Sequence, residues 1–166
     1  MPTGKAGGTR SAAGKEALRI RPLAAGDLAA IVALDRAVVG RSRRGFYERR
    51  LAHFTAEPGA FVALGAELGG RLVGFAFARL YEGEFGRLAP EASLDAIGVD
   101  AKLRRRGIGR ALIQAMAEAM RTRGIKELST QAVWTEADLI GFFARADFAP
   151  APRIVLERSV EDMHLL

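Results

Sequence analysis

Between Ser93 and Arg123 the periodicity of the sequence changes once, and that change narrows the fold more than any other feature. Ser93 to Val99 is a short run suited to a strand. From Gly107 onward the apolar residues recur at three- and four-residue steps: Ile108, Ala111, Leu112, Ala115, Met116 and Ala119. That spacing makes one face of an α-helix. Arg110, Gln114, Glu118 and Arg121 fall on the opposite, wet side. A helix over 107–123 with one apolar stripe has to bury it against another layer, and the strand before it supplies a sheet.

The rest of the chain fits that layered plan. Leu18 to Leu23 alternates apolar and basic residues, which predicts a first strand. Asp27, ahead of Leu28, Ile31, Val32 and Leu34, predicts an N-capped helix, and Arg43 to Glu57 a second, more basic one. Phe61–Leu64 and Leu72–Ala78 flank Gly69-Gly70, a hairpin turn signal. Glu82-Gly83-Glu84-Phe85-Gly86 and Pro90 mark a loop. Leu128 to Val133 predicts a strand, Glu136 to Arg145 a helix, and Phe148 and Ile154–Leu156 closing strands. This order implies a single-domain, mixed α/β fold over 18–166, with a largely antiparallel central sheet flanked by helices. Residues 1–17, rich in Gly, Ala, Ser and Thr, read as a disordered tail.

Composition removes several chemistries. The chain has no cysteine, so disulfides, zinc thiolates and cysteine nucleophiles are excluded. His53 and His164 cannot make a metal site alone, and no metal is expected. No apolar run reaches the roughly 18–20 residues of a membrane span, and no signal-peptide core is present, so a cytoplasmic location is expected. The net charge is +6, and Arg far outnumbers Lys. Arg matches phosphate geometry better than Lys does.

The start of the 107–123 helix is where that charge acquires a use. Gly107 and Gly109 each cost a helix roughly 1 kcal/mol relative to Ala. Yet they stand where main-chain N–H groups lack partners within the helix. Missing side chains let an anion approach those donors, and the helix dipole adds positive potential. Arg104, Arg105, Arg106 and Arg110 bring four more charges to the same place. The combination suits a pyrophosphate. Neither a Walker A loop nor a dinucleotide fingerprint fits these residues.

Arg104-x-x-Gly107-x-Gly109 resembles the [QR]-x-x-G-x-[GA] loop of the GNAT family of N-acetyltransferases. Ile97 to Leu103 resembles that family's approach strand and connector, and Ile140 to Phe148 its later helix and the pair of residues that follows. The resemblance covers about residues 18–160. It implies the acyl-CoA N-acyltransferase fold, with splayed central strands, and an acetyl-CoA-dependent enzyme acting on an amine acceptor. Main-chain amides from Arg105 through Arg110, Ile108 included, would hold the pyrophosphate. Ile97, Gly98 and Val99 would lie along the pantetheine arm, and a main-chain N–H near Val99 would meet the oxyanion. No metal is needed. A homodimer is compatible with such a fold.

Phe143 stands where many family members carry a tyrosine that protonates the leaving thiolate; Phe has no proton to give, so at least one of Phe142 and Phe143 is read as core packing. Tyr47 and Tyr81 are substitutes for that acid. Glu136 replaces a common Asn beside the pantetheine. Asp147 replaces a common Gly, a mild change because Asp tolerates a left-handed backbone. Asp95 is the first candidate for the general base: strict alternation puts it on the face of Ile97 and Val99, partly buried between Leu94 and Ala96. A structural Asp bound to a backbone or Arg partner is the alternative. Glu82 and Glu84 follow as candidates, and Trp134 is expected to pack. Two rival functions stay open: a catalytically silent acyl-CoA sensor, and a nucleic-acid-binding protein using Arg41, Arg43, Arg44, Arg49, Arg50 and the 104–106 run. The second is disfavoured because no helix-turn-helix, zinc or RNP pattern accompanies the charge.

Overall fold

Alternating apolar residues become a five-stranded sheet in the computed structural model, which describes residues 17–83 and 88–159. The expected tail is therefore described only at Ala17, and Glu84 and His164 lie outside the described residues. The chain divides into two compact units, residues 1–131 and 132–166.

In the first unit the strands are β1 (Arg19–Pro22), β2 (Phe61–Leu68), β3 (Arg71–Glu82), β4 (Pro90–Val99) and β5 (Leu128–Ser129), in that spatial order. The pairs from β1 to β4 are antiparallel; β4 and β5 are parallel. Gly69 and Gly70 both take positive φ in the turn from β2 to β3, as a two-residue hairpin requires. Helices α1 (Leu28–Val39) and α2 (Arg44–Ala56) cover one face, and α3 (Ile108–Arg121) packs against the sheet with Ile108, Leu112, Ile113, Met116 and Met120 buried. Each such side chain contributes roughly 1.5–3 kcal/mol by burial. Gly74 permits the close approach of α3, since a Cβ there would lie 3.2 Å from both Ile108 Cγ2 and Leu112 Cδ1.

The face under α2 is aromatic. The Tyr47 ring meets Phe75 at 5.4 Å and Phe77 at 6.0 Å. Phe61 on β2 meets His53 of α2 at 5.8 Å. Odd-numbered residues of β3 therefore look toward α2, and Gly74 looks toward α3.

Asp27 departs from its expected role. A 3₁₀ turn over Ala25–Asp27 precedes α1, so Asp27 is already inside the helical run. Its carboxylate reaches back to the Ala24 N–H (2.8 Å) and pairs with Arg21 (2.8 Å) instead of capping forward.

In the second unit α4 (Ala137–Arg145) ends in a Schellman motif: Asp147 takes φ 65°, its N–H meets the Ala144 carbonyl, and the Phe148 N–H meets that of Phe143. Phe143 is buried between the Phe142 and Phe148 rings (5.2 and 5.1 Å), so it packs as expected. Trp134 does not: it is 85% exposed. It occupies a turn, which holds its ring away from any core. The expected closing strands at Phe148 and Ile154–Leu156 are also absent among the described residues, and Ile154 and Leu156 are largely exposed. An apolar run becomes a strand only where a partner strand supplies its ladder.

Candidate active site

The interruption of β4 builds the site. Ala78 of β3 pairs with Leu94 and Phe77 with Ala96, so Asp95 is an extra residue, a β-bulge. The bulge reverses the phase of the strand. Ahead of it, the Ala92 N–H donates outward to Glu127, and the Leu94 carbonyl accepts from the Thr130 hydroxyl (3.0 Å). Beyond it, the Asp100 N–H is committed inward to the Val73 carbonyl (2.8 Å). By strand alternation Gly98 also bonds toward β3, and the main-chain groups of Ile97 and Val99 point outward.

Nothing within the described part of the first unit pairs with that outward edge, because β5 matches only Ala92 and Ser93. The strand expected over 128–133 is thus two residues long. Side chains end it: Ser129 Oγ takes the Ala92 carbonyl (3.2 Å), and Thr130 Oγ1 takes that of Leu94, in place of main-chain donors. Beyond this point β4 and β5 no longer pair.

Asp95 is consequently not on the face of Ile97 and Val99. Val99 pairs with Gly74 and Ile97 with Ala76, which puts both toward α3. The bulge turns Asp95 the other way, where its Oδ2 lies 3.0 Å from Nη2 of Arg50 on α2. Both side chains are mostly buried, at 14% and 18% exposure. The Arg50 guanidinium also covers the Phe46 ring at 4.9 Å.

Gly98 has a packing reason. A Cβ there would fall 2.6 Å from Cε1 and 2.7 Å from Cζ of Phe75.

From Val99 the chain runs directly into the basic loop. Asp100 organises the turn: its carboxylate accepts from the Lys102 N–H (3.0 Å) and pairs with Arg71 (3.0 Å). Those partners, the Lys102 N–H first, hold its carboxyl below the usual carboxylate range. An Asp just ahead of a short turn is a capping signal, and it is the mark that Asp100 carries in the sequence. Arg105 then takes φ 62° and Gly107 φ 79°. Left-handed residues of this kind turn successive N–H groups into a concave anion seat, a nest. A left-handed Arg is strained, and such strain gathers at functional sites. A Cβ on Gly107 would meet nothing within 4 Å, so the seat is open on that side. Arg104, Arg105, Arg106 and Arg110 are exposed, and no ion pair among the described residues involves them. The first turn of α3 follows directly, with Ile108 buried and Gly109 half-buried.

Tyr47 cannot serve as an acid in a cleft. It is fully buried, and its hydroxyl donates to Asp35 Oδ1 (2.8 Å). Arg43 pairs with the same carboxylate and donates to the Tyr47 hydroxyl (3.1 Å). Burial, followed by the bond to Asp35, raises the phenol above its ordinary range. Burial also opposes the charge on Asp35, but Arg43 and Tyr47 together hold its carboxyl below the ordinary range. This trio locks α1 to α2. Its signal in the sequence was Asp35 itself, an acid on the buried stripe begun by Ile31. Tyr81 and Glu82 end β3 near the loop, and among the described residues neither bonds to Arg104, Arg105, Arg106, Gly107 or Arg110.

A family model described as the acetyltransferase (GNAT) family matches residues 29–148. Mycothiol acetyltransferase of Clavibacter michiganensis subsp. michiganensis is 30% identical over 112 residues, covering 68% of this chain and 34% of that protein. The chain thus spans about a third of that relative's length. Among solved structures, the aminoglycoside N-acetyltransferase AAC(6')-Iy in complex with CoA superposes with a TM-score of 0.76 at 17% identity, over 87% of this chain and 96% of that one. A ribosomal-protein-alanine N-acetyltransferase from Brucella melitensis biovar Abortus 2308 gives 0.68 at 24% identity, over 86% and 99%. At these identities the structural likeness shows the fold. No described helix is long and apolar enough to cross a membrane, and no described acid or histidine cluster has the makings of a metal site.

Proposed function

This chain belongs to the acetyltransferase (GNAT) family, whose members are acetyl-transferring enzymes, and on that premise we propose that it moves acetyl from acetyl-CoA to a primary amine by direct attack in a ternary complex. One observation carries the reading: the nest at Arg105 and Gly107 follows immediately on the unpaired edge at Ile97 and Val99. A diphosphate joined to an amide-bearing arm has that same order of needs.

In this reading main-chain amides from Arg105 to Arg110 hold the diphosphate, and Arg104 and Arg106 supply charge. Ile97 and Val99 bond the arm as an added strand. The outward N–H at Val99 meets the thioester oxygen as charge develops on it. The amine nitrogen bonds to the acetyl carbon, and the carbon–sulfur bond breaks. Sulfur leaves as thiolate and takes its proton from water, since a thiol pKa of about 8.5 makes it a tolerable leaving group without a tyrosine. Asp95, fixed by Arg50 where the open edge begins, receives the proton the amine sheds. We take residues 18–166 as one catalytic domain working in the cytoplasm.

The test pairs two measurements. Acetyl-CoA should raise the melting temperature, and an amine panel should release free thiol. Asp95→Asn should keep the first effect and lose most of the second. Absence of thermal protection overturns the reading. Protection without thiol release from any amine favours the silent acyl-CoA sensor, for which Phe143 is the specific argument.

A further inference from the structure

Asp95 is held differently from the other described aspartates of the first unit. Asp27 takes Arg21 and the Ala24 N–H, Asp35 takes Arg43 and Tyr47, and Asp100 takes the Lys102 N–H and Arg71. Two donor groups of different origin fix each of those carboxylates. Asp95 has one partner among the described residues, the Arg50 guanidinium at 3.0 Å. Its direction therefore depends on how firmly that guanidinium is held.

α2 holds the guanidinium with a ring. Phe46 and Arg50 are four residues apart on that helix, so they are neighbours on one of its faces. The guanidinium lies 4.9 Å from the centre of the Phe46 ring, within cation–π range. Phe46 is itself fixed. It meets the Tyr47 ring edge-on at 5.0 Å, and the Arg43 guanidinium lies 5.6 Å from it. Tyr47 and Arg43 are both bound to Asp35 of α1. Phe46 thus joins the lock between α1 and α2 to the side chain that faces Asp95.

The Nε atom of Arg50 is a second, separate sign. It is shut off from solvent and donates to no acceptor among the described residues. Turned outward, the same arginine would give that donor to water, so hydration draws it away from Asp95. The ring and the carboxylate together oppose that pull, and without the ring the carboxylate acts alone.

Resting on the reading of Asp95 as the proton acceptor, we propose that Phe46 is a positioning residue for acetyl transfer: its ring fixes the plane of Arg50, and Arg50 aims the Asp95 carboxylate. Phe46 touches neither cofactor nor amine in this scheme, and acts only through the two side chains that follow it.

The experiment is a kinetic double-mutant cycle, read by thiol release from acetyl-CoA with the fastest amine of the panel. Loss of a general base, as in Asp95→Asn, should lower kcat by about 100-fold. Phe46→Leu should lower kcat by about tenfold through misplacement of that base, and leave the KM for acetyl-CoA within about twofold. Phe46→Tyr keeps the ring face and should restore most of the loss. Arg50→Lys keeps the charge without the planar stack and should resemble Phe46→Leu; the same cycle run with it serves if Phe46→Leu does not fold. In the Asp95→Asn background Phe46→Leu should cost almost nothing more, because residues that act as one unit are not additive. A role in packing alone gives the same loss with and without the carboxylate. Thermal melts with and without acetyl-CoA report folding and the cofactor seat separately. Undiminished kcat in Phe46→Leu, no rescue by Phe46→Tyr, or equal losses in the two backgrounds overturns the proposal while the Asp95 effect stands. Full activity of Asp95→Asn, or silence of wild type toward every amine, overturns the reading beneath it and the proposal with it.

Discussion

Gly98→Ala separates packing from cofactor contact in the strand that precedes the loop. The added methyl would stand 2.6–2.7 Å from two Phe75 ring atoms, whereas ordinary carbon contacts begin near 3.4 Å. Phe75 is 1% exposed and wedged against Tyr47 and Phe77, so the ring has nowhere to retreat. Overpacking of this kind costs about 1–3 kcal/mol. Taking about 2 kcal/mol, a chain of this size loses roughly 4–8 °C in melting temperature. Phe75→Leu removes both offending atoms, so Gly98→Ala should cost almost nothing in that background. The double-mutant cycle, read by urea unfolding, should give a coupling of about 1–2 kcal/mol. Two results refute the reasoning: a Gly98→Ala loss under about 0.5 kcal/mol, which lies within the ordinary range of surface changes, or an equal loss with and without the ring.

Gly109→Val should weaken acetyl-CoA binding at least tenfold by calorimetry, because side chain then stands where the anion must approach main chain; unchanged binding would remove the seat from the 104–110 loop. Thr130→Val deprives the Leu94 carbonyl of its donor and should cost about 1 kcal/mol in chemical denaturation; an unaltered midpoint would show that β5 is fastened by other means. Asp35 has a lowered folded value, so its contribution is complete above the unfolded carboxylate value of about 3.9 and fades as pH falls through the folded one. Arg43→Met should therefore destabilise at pH 7 by about 1–3 kcal/mol, less than for a fully buried pair because the Arg43 side chain is 36% exposed, and flatten the loss at pH values below about 4; a parallel acid limb in both proteins would contradict the assignment.

The layered fold, the hairpin at Gly69-Gly70 and the helix behind the basic loop were all legible in the sequence, because each is written as local periodicity or as a glycine that a turn requires. The left-handed backbone at Asp147 was legible only through the resemblance, which places a common Gly there; the Schellman bonds that follow it were not. What escaped was set by tertiary partners. No glycine or proline marks Asp95 as a bulge, and alternation across Leu94-Asp95-Ala96 is unbroken on paper; the offset exists only in the pairing with β3. The short β5 is decided by hydroxyls of Ser129 and Thr130 bonding to β4, which no local pattern announces. Arg50 read as one member of a basic helix, and only the fold brings it 3.0 Å from Asp95.

That single inserted residue makes β4 a text read in two frames. Before Asp95 the even positions address the outer edge; after it the odd positions do. A substitution changes one letter of such a text, but a deletion at Asp95 changes every letter that follows. It would turn the Ile97 and Val99 amides inward and Gly98 outward, without touching any residue of the arginine loop. Side chains along β4 can be exchanged while those amides keep their directions, but the number of residues between Leu94 and Asp100 cannot change without reversing them.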